Sequence, residues 1–225
     1  MRRLRSSFTY AILSFHGLRS MAQSFPFHNN LPLREIEKRE KRERLLKASL
    51  RLFREKGYEQ TKVAEITRAA GVAKGTFFNY FPTKERVLLA LGEQMLGRLG
   101  QVDADDLFQQ KETRGKVKAM FHALAAGLDA DRELVKEMVY RGLRLPDLVD
   151  NSRAQLDFRA MLVLLLEQGK RKGEIREDAD TSFVADTLYT LYFQQVVLWC
   201  SKDFSTRLPD QLERVVDLIF DGISL

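Results

Sequence analysis

Residues 61–85, TKVAEITRAAGVAKGTFFNYFPTKE, leave this chain few ways to fold. Val63, Ile66, Ala69 and Ala70 fall on one face of a short helix, and Gly71-Val72 ends it, as a glycine just past a helix end does. A second short run follows, with Phe77 and Phe81 four residues apart on its buried side. The other side carries Lys74, Gly75, Thr76, Phe78 and Asn79: a cation, a residue without a side chain, two short hydrogen-bonding groups and an exposed aromatic. Two short helices around a tight turn, the second with such a face, make a helix-turn-helix. Small groups let the helix sink into a major groove, and the donors meet phosphates and base edges.

The flanking sequence supplies the rest of a small helical domain. Residues 34–56 read as one helix, charged all round at first and then striped with Leu45, Leu46, Ser49, Leu52 and Phe53. Lys38, Arg39 and Arg42 on its charged half are candidate phosphate contacts, against the commoner reading of a solvated face. Pro82-Thr83-Lys84-Glu85 restarts a helix with Thr83 as a plausible cap, running through Val87, Leu88, Leu91 and Met95 as a rigid lever. Helical patterns then cover residues 112–128, 131–144, 148–172, 180–202 and 209–223, with Gly173 as a natural C-terminal cap between the third and fourth. The expected fold class is all-α. A three-helix helix-turn-helix domain at residues 34–85 precedes a helical ligand-binding and dimerisation domain at residues 86–225. Residues 1–33 match neither, and read as a disordered arm or as the product of an upstream start codon, with Met21 as the first residue.

Charge is spread unevenly along the chain. Residues 1–33 carry net +4, residues 34–90 net +7 and residues 91–225 net −5. The basic block coincides with the helix-turn-helix, which points to a polyanion as its partner. The single cysteine, Cys200, excludes an internal disulfide and a cysteine-cluster metal site, fits a cytoplasmic setting, and reads as a structural thiol. His16, His28 and His122 share no metal-ligand spacing, and His122 reads as a helix-packing or pocket-lining residue. Asp103, Asp105 and Asp106 lack the further ligands of a calcium loop. There is no phosphate-binding glycine loop and no hydrolase or metalloprotease motif, and no apolar run long enough to cross a membrane. The chain is therefore expected not to be an enzyme, and to need no cofactor, metal or membrane.

Gly57-Tyr58, Thr61, Ala69 to Val72, Lys74 to Phe81 and Lys84-Glu85 together resemble the DNA-binding domain of the TetR/AcrR family of bacterial transcriptional regulators. Beyond about residue 100 the resemblance is one of pattern, with a Gly-x-Ile-Arg-x-Asp turn at residues 173–178 before the last two helices. The resemblance implies that Lys74 and Gly75 open the recognition helix, that Thr76, Asn79 and Tyr80 face the groove, and that Thr61 and Lys84 touch phosphates. Three positions depart from the family pattern. Lys62 stands where a capping Thr or Ser is common, and cannot accept an amide hydrogen bond, although its charge can reach a phosphate. Phe78 stands where Tyr is usual, and is expected to pack on a sugar or a thymine methyl. Ala73 replaces a frequent Ser.

The implied function is a homodimeric, ligand-responsive repressor of transcription that binds a near-palindromic operator in double-stranded DNA and is released by a small apolar or amphipathic effector. A transcriptional activator, or a sequence-tolerant DNA-binding protein without a ligand, is the alternative. Phe121, Met138, Phe158, Met161, Leu165, Tyr189 and Phe193 are the candidate cavity lining, being large and adaptable side chains on the enclosing helices. The last two helices carry too much apolar surface for one buried face. Leu188, Tyr192, Val196, Trp199, Val215, Val216 and Ile219 are accordingly the candidate dimer interface.

Overall fold

A computed structural model describes residues 33–97, 110–144 and 153–224. The arm of residues 1–32 and the aspartates of residues 103–106 lie outside these. The described residues form nine helices: α1 (Leu33–Lys56), α2 (Val63–Ala70), α3 (Lys74–Tyr80), α4 (Lys84–Gly97), α5 (Thr113–Asp129), α6 (Arg132–Gly142), α7 (Arg153–Arg171), α8 (Thr181–Ser201) and α9 (Leu208–Ile223). The fold class is all-α, with a helix-turn-helix in the first part and a helical bundle after it. Residues 33–40, the start of α1, are exposed throughout, and Lys38 lies 3.9 Å from Glu35.

The helix-turn-helix is built by local rules. Gly71 sits at φ 64°, in the left-handed region. Its N–H donates to the Arg68 carbonyl, and the Val72 N–H donates to that of Thr67 at 3.0 Å, closing the end of α2. Ile66, Thr67 and Ala70 are the buried residues of α2, whereas Ala69, which the spacing put on the same face, is exposed. Phe77 and Phe81 point inward with ring centroids 5.9 Å apart and meet Leu45, Leu46 and Phe53 of α1 in one core. Val87, Leu88, Ala90 and Leu91 of α4 lie in that same core, so it runs on past residue 85. Leu134 and Met138 of α6 are also part of it.

The second core gathers Val117, Phe121 and Leu124 of α5, Phe158, Leu162 and Leu166 of α7, and the inner faces of α8 and α9. Rings of Phe121, Phe158 and Tyr192 lie within 5.6–6.1 Å of one another at its centre. Asp180 caps α8, its carboxylate accepting from the N–H groups of Ser182 and Phe183. The Gly173–Asp178 turn also ties distant elements together. Glu174 accepts from the Thr113 N–H at 2.6 Å at the start of α5, and the Arg176 N–H donates to the Ile223 carbonyl at 3.0 Å. Lys118 of α5 reaches Glu213 and Asp217 of α9, at 2.9 Å each.

A side chain at Gly71 would have to hold a left-handed backbone. Gly71→Ala is therefore expected to lower unfolding stability by about 1–2 kcal/mol, with Gly71→Asn losing less. Chemical denaturation of the two variants beside the parent measures this.

Candidate functional site

Helices α2 and α3 present a basic and polar surface. Lys62, Lys74, Gly75, Phe78 and Asn79 are exposed, while Thr76 and Tyr80 are half-buried. Phe78 keeps 45% of its surface exposed, its ring edge-on to Phe77 at 5.3 Å. Ala73 is the N-cap of α3 and makes no side-chain hydrogen bond there. Arg42 lies 5.4 Å from the Phe81 ring centroid, so its guanidinium packs on the back of this unit.

The cap of α2 is supplied in a way that the single position Lys62 does not reveal. Glu65, three residues on, accepts from the Lys62 N–H at 2.8 Å and is paired with Lys56. This is one half of a capping box, and the other half is chemically closed because an ammonium has no lone pair to offer. The hydrogen bond from Lys56, and then the Lys62 amide, hold the Glu65 carboxyl below its ordinary pKa.

Two residues assigned to phosphates are otherwise engaged. Thr61 is 1% exposed, and its hydroxyl donates to the Gly57 carbonyl at 2.8 Å. The Lys84 ammonium donates to the carbonyls of Tyr58 at 2.8 Å and Thr61 at 3.1 Å, and lies 4.1 Å from the Tyr58 ring centroid. The Thr61 side chain therefore ties its loop back to the end of α1, and Lys84 ties the same loop to the start of α4. Tyr58 at the centre of this loop is buried, and its hydroxyl donates to Glu85 at 3.0 Å. Burial, then that hydrogen bond, raise the pKa of its phenol far above the ordinary value.

A cavity of about 160 Å³ opens among α4, α6 and α8. Its walls include Gly92, Met95 and Leu96 of α4, Val135, Met138 and Val139 of α6, and Tyr189, Tyr192 and Phe193 of α8. Of the candidate lining residues, Met138, Tyr189 and Phe193 border this cavity. Phe121 and Phe158 do not: they are buried one layer deeper, against Tyr192. Met161 and Leu165 are half-buried packing on the second core and are not among the lining residues. Sequence reading missed α4 altogether as a wall, because Gly92 and Leu96 carry no signal beyond helix packing. Glu93, Gln155, Tyr189 and Tyr192 are the polar residues of the lining.

The dimer residues need the largest correction. Leu188, Tyr192, Val196, Trp199, Val215 and Val216 are buried within a single chain, and Ile219 packs on the same core. The apolar arc of α8 is wide enough to hide its phase, and the chosen residues are those that face inward. On the outer faces Phe183 and Leu218 are each 70% exposed and Leu198 is 38% exposed. His122 is also exposed, 3.6 Å from Glu213, and is not among the residues that line this cavity. Cys200 is buried, and burial pushes its thiol up to about 11, as befits a structural cysteine.

Residues 45–91 match the family described as "Bacterial regulatory proteins, tetR family", and residues 93–222 match the C-terminal domain of "TetR/AcrR family transcriptional repressors". The chain belongs to the TetR/AcrR family. FadR of Thermus thermophilus, a TetR-family repressor solved in complex with lauroyl-CoA, is 33% identical with a TM-score of 0.68, over 82% of this chain and 95% of that one. The fatty acid degradation regulator FadR of Bacillus halodurans is 26% identical with a TM-score of 0.58, over 80% and 98%. The fatty acid metabolism regulator protein of Bacillus subtilis is 26% identical over 190 residues, 83% of this chain and 97% of the relative. As a TetR-family protein the chain is a ligand-responsive DNA-binding repressor, working as a homodimer on double-stranded DNA. Among the described residues no helix is long and apolar enough to cross a membrane.

The two lysines at the edges of the reading unit should separate cleanly. Lys74→Ala is expected to weaken operator binding across sequences and to reduce the salt slope by about one ion. Lys84→Ala should instead lower unfolding stability by about 1–2 kcal/mol, through loss of its carbonyl and ring contacts. Binding titrations at several salt concentrations, paired with thermal melts, distinguish the two outcomes. On the outer face of α8 and α9, Phe183→Glu and Leu218→Glu should each shift the dimer to monomer in sedimentation velocity while circular dichroism stays unchanged.

Proposed function

We propose that this repressor sits on a near-palindromic operator and is released by a fatty acyl-CoA, the acyl chain entering the α4–α6–α8 cavity. The observation that carries this reading is the apolar cavity itself, in a chain that is 33% identical, over 82% of its length, to a repressor solved in complex with lauroyl-CoA. Polar groups are few in the lining, and the aromatic trio Phe121, Phe158 and Tyr192 forms a floor beneath it. An apolar cavity of about 150 Å³ holds a benzene-sized group. A long acyl chain therefore has to widen this one. Met95 and Met138 in the wall are unbranched and adaptable, which favours such widening. Arg144, exposed two residues beyond the cavity-lining Gly142, is a candidate partner for the phosphates that stay outside.

On the DNA side, Lys62, Lys74 and the Gly75 backbone supply phosphate contacts in this reading. Thr76, Asn79 and Tyr80 face base edges, and Phe78 packs on a sugar or a thymine methyl. The dimer forms through the outer faces of α8 and α9 that carry Phe183, Leu198 and Leu218. Activity is binding and release, with no turnover.

Calorimetric titration with an acyl-CoA series tests the ligand. Each added methylene should gain about 0.8 kcal/mol, close to fourfold in Kd, until the cavity is filled, and free CoA should bind far more weakly. The same ligands should displace operator DNA in the same order. A flat dependence on chain length, or displacement by CoA alone, would sink the reading.

A further inference from the structure

Helix α6 is only Arg132–Gly142, yet it meets both the cavity and the core of the reading domain. Val135, Met138, Val139 and Gly142 line the cavity, and Leu134 and Met138 are buried in the core of the reading domain. Both ends hold ion pairs to that domain. At the start, Asp131 accepts the Arg54 guanidinium in a fork, Nε to Oδ1 and Nη2 to Oδ2 at 2.6 Å each, and its side chain is 7% exposed. At the end, Arg141 donates to Glu137 at 2.9 Å, pairs with Glu59, and lies 4.3 Å from the Tyr58 ring centroid. Lys84 of α4 grips the same ring. The loop of Tyr58 and Glu59 is thus held by α6 and α4 together, and it leads within three residues to Lys62, the N-cap of α2.

Two glycines stand where α4 approaches α6, and a Cβ at either would just reach ordinary contact with the opposite helix, leaving no room there for a larger side chain without adjustment. A Cβ on Gly92 would stand 3.4 Å from the Met138 sulfur, and one on Gly142 would stand 3.6 Å from Leu89 Cδ2. Atoms inserted between these helices beyond what the cavity already holds have to move one against the other, because packed interiors shift as units. Moving α6 carries Asp131 and Arg141 with it, and both ion pairs resist separation from the loop and from α1.

We infer that the Arg141 grip on Tyr58 and Glu59 is the contact through which an occupant of the cavity reorients α2 and α3. The inference rests on the cavity being the effector site, as proposed above. It assigns Arg141 a positioning role, touching neither DNA nor ligand. An adjoining fork, Arg54–Asp131, keeps the other end of α6 in step.

The test is a double-mutant cycle that needs no ligand, since Gly92→Val places atoms between α4 and α6 permanently. Operator affinity is measured by fluorescence anisotropy, on a duplex selected from random DNA by the parent protein. Gly92→Val should weaken binding about tenfold with the dimer and helical content intact, and Gly92→Ala, the milder substitution, less. In an Arg141→Gln background the same substitution should change affinity less than about twofold, and Arg141→Lys should restore part of the effect. With lauroyl-CoA as probe, Arg141→Gln should keep calorimetric ligand affinity within about twofold while losing most of the operator release. Equal weakening by Gly92→Val in both backgrounds, or none in the parent, would overturn the role of Arg141. Failure of lauroyl-CoA to bind the parent protein would defeat the acyl-CoA reading, and the cycle would still decide on Arg141.

Discussion

Met138 belongs to two environments at once: it closes the core of the reading domain and lines the cavity of the regulatory domain. A buried side chain cannot shift on one side only, because interiors are packed to crystal-like density. The two halves of this repressor are therefore joined through shared packing, and not by a linker between independent cores. The continuity of the first core into α4, through Val87, Leu88 and Leu91, is the same constraint seen from the other helix. A thioether at the junction suits it, since Met adapts to new packing at low cost.

How readily each part was legible in the sequence follows from the range of the interactions that specify it. The turn at Gly71 and the inward phase of Phe77 and Phe81 are local, so spacing alone gives them. Thr61 and Lys84 are different. Their partners lie in the Gly57–Thr61 loop, and for Lys84 that loop is more than twenty residues away in sequence. Nothing in a single side chain distinguishes a lysine that waits for phosphate from one that satisfies buried carbonyls. The half capping box at α2 was legible in principle, because Glu65 stands where such a box places its acid, but attention to Lys62 alone missed it.

The bundle was harder for a physical reason. In α8 the apolar residues run nearly all the way round, so periodicity fixes the helix but not which side faces the core. Choosing the most densely apolar residues selected the interior ones, since Tyr192, Val196 and Trp199 are 3–4% exposed. The exposed Phe183 and Leu218 are sparser and each stands among polar neighbours, so no dense apolar run marks them. The cavity shows the converse. A void is defined by what fails to fill it, so glycines such as Gly92 matter as much as aromatics, and no apolar pattern marks them.

A release mechanism through α6 carries an energetic requirement that bears on effector chemistry. Turning a repressor from 99% to 1% operator-competent takes about 10⁴-fold tighter ligand binding to the released state, or about 5.5 kcal/mol. Ionic contacts made by a polar headgroup at an exposed mouth are screened and similar in both states, so they give affinity without discrimination. Apolar burial in a space that opens only when α4 and α6 separate is discriminating by construction. At about 0.8 kcal/mol per methylene, roughly seven methylenes buried only in the released state suffice. A small cavity near 160 Å³ that must widen for its ligand is thus what a chain-length-dependent switch requires, and a larger preformed cavity would bind more tightly and switch less.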